Sequence, residues 1–330
     1  MPGRLTILAA LLVLTAPAFA ADIVPKDATL ERLWYEGDFT EGVAAGPDGA
    51  IYFSDIYFTG ASADKPAGRI LKFDPKTNKT TVHCPDSGQS NGLMFDAKGR
   101  LIAACGANFG KQALCHITPA GKVKVLVDKF RGKKFLSPND LVILPNGSIY
   151  FSDPRYVGPE PLEIDHMSVY RYDPDGSIHR ATTNIRKPNG VIVSPDAKTL
   201  YVAETDNGSD GRNPDAKPGP RRMTLNAFPI KPDGSLGKKT VLVNFGQELG
   251  IDGMTVDTHG NIYAAVRSEP RHGIVVFSPK GKELGDVPMQ DLPTNCCFGI
   301  GTQSSTLYVS GGKALYRVKL NATGYHPSRS

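Results

Sequence analysis

Asn139-Asp140-Leu141-Val142-Ile143-Leu144-Pro145-Asn146-Gly147-Ser148-Ile149-Tyr150-Phe151-Ser152-Asp153 decides the fold. A polar pair opens a short apolar run. Pro-Asn-Gly-Ser then makes a turn, and a second run returns in residues that favour a pleated, half-buried strand. The same order recurs through the chain. Glu41-Gly42-Val43 precedes Ile51 to Asp55, and Asn91-Gly92-Leu93 precedes Leu101-Ile102. Asn189-Gly190-Val191 precedes Leu200 to Val202, Asp252-Gly253-Met254 precedes Ile262-Tyr263, and Phe298-Gly299-Ile300 precedes Leu307 to Val309.

The first five copies start at 41, 91, 139, 189 and 252, in steps of 50, 48, 50 and 63 residues, with the sixth about 45 later. A period of about 40–50 residues is that of a four-stranded propeller blade. A second strand pair follows the early copies, as in Gly68 to Pro75 and Ser168 to Pro174. The expected fold is therefore all-β, a six-bladed β-propeller in one domain over residues 21–330. The last copy lacks an outer strand, and a strand near Thr29 to Tyr35 is expected to supply it and close the ring. The long fourth step holds a Gly/Pro/Asp/Asn-rich insertion at 206–222, a candidate surface lid.

The 330 residues are 40% hydrophobic and 22% charged, the composition of an ordinary globular protein. A net charge of +5 is mild, and its clusters, such as Arg131-Gly132-Lys133-Lys134, read as solvated loops. No nucleic-acid module accompanies them, so nucleic acid is not an expected partner. Arg4, the apolar run Leu5 to Ala16 and Ala18-Phe19-Ala20 form a signal peptide over residues 1–20. No later run reaches membrane length. A monomer exported to the periplasm or beyond is expected. Five cysteines preclude complete internal pairing; Cys105 and Cys115 flank a loop and are the candidate bridge, against burial as free thiols.

Inner strands line a propeller's channel, and the residue that starts each one sits at one rim. Here that ring reads Glu41, Asn91, Asn139, Asn189 and Asp252, with an apolar sixth near Cys297. Crowded carboxylates repel unless a cation compensates. Acids mixed with amides form an all-oxygen set that suits calcium, magnesium or manganese ahead of zinc. The competing explanation is that Asn-Gly and Asp-Gly are turn formers. Gly88-Gln89-Ser90-Asn91-Gly92 matches the serine-hydrolase motif G-x-S-x-G, but a strand-to-helix elbow is missing from this pattern.

Leu136-Ser137-Pro138-Asn139-Asp140-Leu141, Lys187-Pro188-Asn189-Gly190-Val191, Gly250-Ile251-Asp252-Gly253-Met254 and Thr40-Glu41-Gly42 together resemble the gluconolactonase / senescence marker protein-30 family. The resemblance covers nearly the whole mature chain. It implies one divalent ion, calcium first, with Glu41, Asn189 and Asp252 as ligands and Asn139 as ligand or substrate contact. It also implies that Asp252 serves as general base in the hydrolysis of a small-molecule lactone. Ser137 stands where animal members carry a substrate-contacting arginine, so Asn91, Arg155 and Tyr156 are the expected contacts here. Other readings are a ligand-binding propeller without turnover, and a strictosidine synthase-like or arylesterase-like enzyme.

Overall fold

Six four-stranded antiparallel sheets follow one another around an axis. The computed structural model describes residues 22–57, 61–209, 219–269 and 271–329. The signal peptide expected over 1–20 lies outside the described residues, as do residues 210–218 of the insertion. No helix among the described residues is long and apolar enough to cross a membrane.

The innermost strands are Phe39–Ala45, Ser90–Phe95, Leu141–Ile143, Pro188–Val193, Ile251–Val256 and Pro293–Phe298. In the first five blades the chain runs outward through three more strands before moving on. The sixth blade is completed from the other end of the chain, because Glu31–Trp34 pairs with Ala314–Lys319. The expected closing strand is thus present. Apolar side chains alternate inward and seal neighbouring sheets together. Aromatics such as Phe53, Tyr150, Tyr263 and Tyr308 are fully or nearly fully buried at these seams.

One expectation is corrected. The sixth inner strand begins at Pro293-Thr294-Asn295, and Phe298 ends it. A 3-10 turn at Gly301–Gln303 lengthens the connection to the next strand, which displaced the apparent repeat. Thr294 is the true counterpart of Glu41. Its hydroxyl donates to the Thr40 carbonyl at 2.8 Å, so it joins blade six to blade one.

Five inner strands have a register shift at their start, as between Glu41 and Val43 or Ile251 and Met254. Such bulges bend the backbone and re-aim a side chain. Here they turn the ring residues toward the channel. The glycines that follow are not turn glycines, since Gly42, Gly92, Gly190 and Gly253 are not among the residues with positive φ. They are small because the next blade crosses there. A Cβ on Gly92 would lie 2.4 Å from Asp140 Oδ1, and one on Gly253 would lie 2.2 Å from Asn295 Cγ.

The far end of the channel is closed by the C-terminal segment. Tyr325 N–H donates to the Val256 carbonyl at 3.0 Å, Ser328 Oγ to Phe95 at 2.5 Å, and Arg329 Nη2 to Ala45 at 2.7 Å.

Candidate functional site

Opposite that tail, the channel opens into a cavity of about 370 Å³ lined by rim residues of the first five blades. Glu41, Asn91, Asn139, Asn189 and Asp252 all reach it. Their backbones are fixed by neighbouring blades. The Asn139 carbonyl accepts from Gly92 N–H at 2.7 Å, and the Asn91 carbonyl accepts from Ser54 Oγ at 2.8 Å. Tyr156 also lines the cavity. Its hydroxyl donates to the Thr205 carbonyl at 3.1 Å and accepts from Asn189 Nδ2 at 3.3 Å.

The floor is crowded with acids. Burial, and next the charge of Asp252, hold the Glu41 carboxyl well above the usual carboxylate range. Burial also raises Asp252, opposed by the Arg267 guanidinium and by a hydrogen bond from Asn189. Just below, burial pushes Asp140 up to about 7. Asp140 accepts from the backbone of Leu141 at 2.9 Å and Val191 at 3.2 Å, and its carboxylate also meets Asn295. Asp140 and Asn295 fill a tier of the channel under the ring.

Arg267 was not foreseen. Its Nη1 donates to Asp252 Oδ2 at 2.9 Å, it lines the cavity, and its buried Nε has no hydrogen-bond partner. It directly follows the strand Ile262–Val266, at a rim position that in the first three blades holds Tyr57, Gly106 and Pro154, so no repeated residue type marks it in the sequence.

Arg155 departs from expectation. It does not line the cavity; it is 1% exposed and donates to Glu160 Oε2 at 3.0 Å and to the carbonyls of Val157 and Gly158. Glu160 in turn accepts the backbone N–H of Asn108 at 3.1 Å and of Phe109 at 2.5 Å. Those two residues have φ of 62° and 67°, and nearby Gln89 has 62°. Arg155 therefore braces a strained rim loop instead of meeting substrate.

The other candidates resolve simply. Ser90 lies within a strand, hydrogen-bonded to Ser54 at 2.9 Å, which is no nucleophile elbow. Cys105 and Cys115 are buried free thiols, like the other three cysteines. They are not a register pair, since Cys105 faces Ala113 and Cys115 faces Ala103; they are diagonal neighbours whose thiols interact.

Among the described residues no three His, Cys, Asp or Glu side chains form a metal-binding group. Any ion at the floor would draw on amide oxygens together with Glu41 and Asp252. Two buried carboxylates with one guanidinium leave a negative balance, and their oxygen chemistry fits a hard divalent cation.

The sequence matches the SMP-30/gluconolactonase/LRE-like region over residues 39–313. It is 31% identical to a gluconolactonase of Zymomonas mobilis, over 79% of this chain and 75% of that one. It is 27% identical to a pentonolactonase of Haloferax volcanii, over 81% and 88%. A gluconolactonase structure from Xanthomonas campestris superposes with a TM-score of 0.75 at 28% identity, covering 90% of this chain and 91% of that one. Rim motifs, bulged inner strands and family match coincide over the same residues, and the chain belongs to the SMP-30/gluconolactonase/LRE-like family of six-bladed propellers.

Proposed function

We propose that this chain is a lactone hydrolase that works at the cavity floor, assisted by one divalent cation, calcium first, held by Glu41, Asn189 and Asp252 with Asn139 beside them. The observation that carries this reading is the pair of buried carboxylates, Glu41 and Asp252, facing a cavity where, among the described residues, one guanidinium offsets them. The lactonases among its relatives support the reaction class. When bound, such an ion supplies Lewis-acid polarisation of the ring carbonyl.

The chain's own residues do the rest. Asp252 is the carboxylate that accepts a proton from the attacking water. Asn189 and Arg267 hold the Asp252 carboxylate in place. The carbonyl carbon gains the water oxygen, the ring C–O bond breaks, and the proton passes to the departing ring oxygen. Tyr156 orients Asn189, while Asn91 and Asn139 contact the substrate. We also read the enzyme as exported, on the strength of the Ala18-Phe19-Ala20 segment.

The test is acid release from a lactone panel followed with a pH indicator, with and without chelator. Activity is expected to vanish on chelation and return with calcium. Full activity in metal-stripped protein, or in Asp252→Ala, would overturn the scheme.

A further inference from the structure

The cavity has two unlike halves. Among the described residues the charge lies at the floor, in Glu41, Asp252 and Arg267. Above it stand Phe39 and Ile56 from blade one, Ala107 from blade two, and Pro138 and Val157 from blade three. Val157 remains 42% exposed at the lip, a large apolar side chain facing water.

Polar residues also line this upper half, but their side chains are already engaged with the protein. The Gln89 amide accepts from Tyr57 N–H at 3.2 Å and donates to the Tyr57 carbonyl at 2.9 Å. Asn108 Nδ2 donates to the same carbonyl at 2.9 Å. Ser137 Oγ accepts from Ala107 N–H at 3.0 Å, and Thr205 Oγ1 donates to the Ile251 carbonyl. Among the described residues, the wall offers apolar carbon and polar side chains that each already make at least one hydrogen bond to the protein. A sugar hydroxyl set against it would leave water without a replacement hydrogen bond. A hydrocarbon set against it would gain burial.

We propose that the preferred substrate is a lactone carrying an apolar alkyl or aryl substituent, and not a polyhydroxylated sugar lactone. The floor takes the ester group, and the substituent lies along Phe39, Ile56, Ala107, Pro138 and Val157. This inference rests on the lactone-hydrolase reading and adds the substrate class. The carboxylate and alcohol chemistry of the reaction is unchanged.

The experiment compares kcat/KM for δ-valerolactone, δ-octalactone, δ-decalactone and glucono-1,5-lactone in the full-length protein with calcium. The alkyl series is expected to rise roughly three- to fourfold per methylene over the first carbons. The decalactone is expected to exceed gluconolactone by at least about tenfold. Ile56→Asn is expected to flatten the alkyl series, which a merely structural role would not do. A flat series with a tenfold preference for gluconolactone would overturn the inference and leave the lactonase reading intact. If no lactone is turned over, the lactonase reading falls, and calorimetric binding of 5-hydroxydecanoate against gluconate decides the wall preference alone. Tighter 5-hydroxydecanoate supports it; tighter gluconate overturns it.

Discussion

The two ends of the channel are built by opposite means. At the cavity end, Glu41, Asp252 and Asp140 are buried acids whose charges oppose one another, and Asn108 and Phe109 hold left-handed backbone under the brace of Glu160. At the far end, the tail places backbone and side-chain donors on free carbonyls of the inner strands, with Ser328 and Pro327 buried. One end concentrates groups that destabilise the fold, and the other satisfies backbone carbonyls. The contrast separates a strained end of the channel from a satisfied one.

Asp252→Ala should break the comparison most visibly. Its lactonase rate is expected to fall by about 10²-fold or more, while Arg329→Ala at the other end keeps the rate within about twofold. A comparable rate loss in both variants would abolish the distinction. Deletion of residues 325–330 should give the mirror result. Urea unfolding is expected to report a loss of roughly 3 kcal/mol from the hydrogen bonds and burial removed, with the rate per folded molecule preserved.

The acids make stability depend on pH in a definite direction. Asp140 and Asp153 are each raised to about 7 by burial, and Glu41 is raised as well. The folded state therefore keeps protons that the unfolded chain has released. Metal-free protein should lose stability as pH rises from about 4, the unfolded carboxylate range, toward 7, the opposite of a carboxylate stabilised as its anion. Glu41→Gln should remove part of that slope, read as thermal midpoint against pH. Calcium at about 100 times its dissociation constant should add about 2.7 kcal/mol to wild type and less to Glu41→Gln. A slope of opposite sign would show that the acids are stabilised as anions by groups other than a cation.

The smallest effect concerns the brace. Glu160→Gln is expected to raise KM a few-fold with kcat nearly constant, because it weakens the hold on a loop storing about 1–3 kcal/mol of strain per residue. Asn108→Gly in the same chain should recover part of the loss, since glycine adopts this conformation freely. Failure of the rescue would mean that Glu160 acts on the loop by another route.

The blade count was legible in the sequence because the apolar alternation and its turn recur six times, five of them opened by an acid or amide. The reading slipped at the sixth, where Thr294-Asn295 replaces that signature and a 3-10 turn changes the spacing. Ring residues could be placed at the cavity because their position follows from the repeat. Arg267 could not, because rim loops after the second strand share no pattern. Arg155 adjoins Tyr156 in the sequence but does not line the cavity, since successive residues need not face the same way. Asp140 looked like part of an Asn-Asp motif; only the glycine beside it, Gly92, shows that its carboxylate occupies space in the channel.

The shared sixth blade has a consequence for assembly. Glu31 and Arg317 form an ion pair at 2.7 Å across 286 residues of chain. Five sheets can form from contiguous segments, each with local contacts. The sixth must wait until both ends meet, and such distant contacts slow folding more than they alter stability. The ring is thus a clasp joined by both ends of the chain, and substitutions in Glu31–Trp34 should speed unfolding before they change the chemistry.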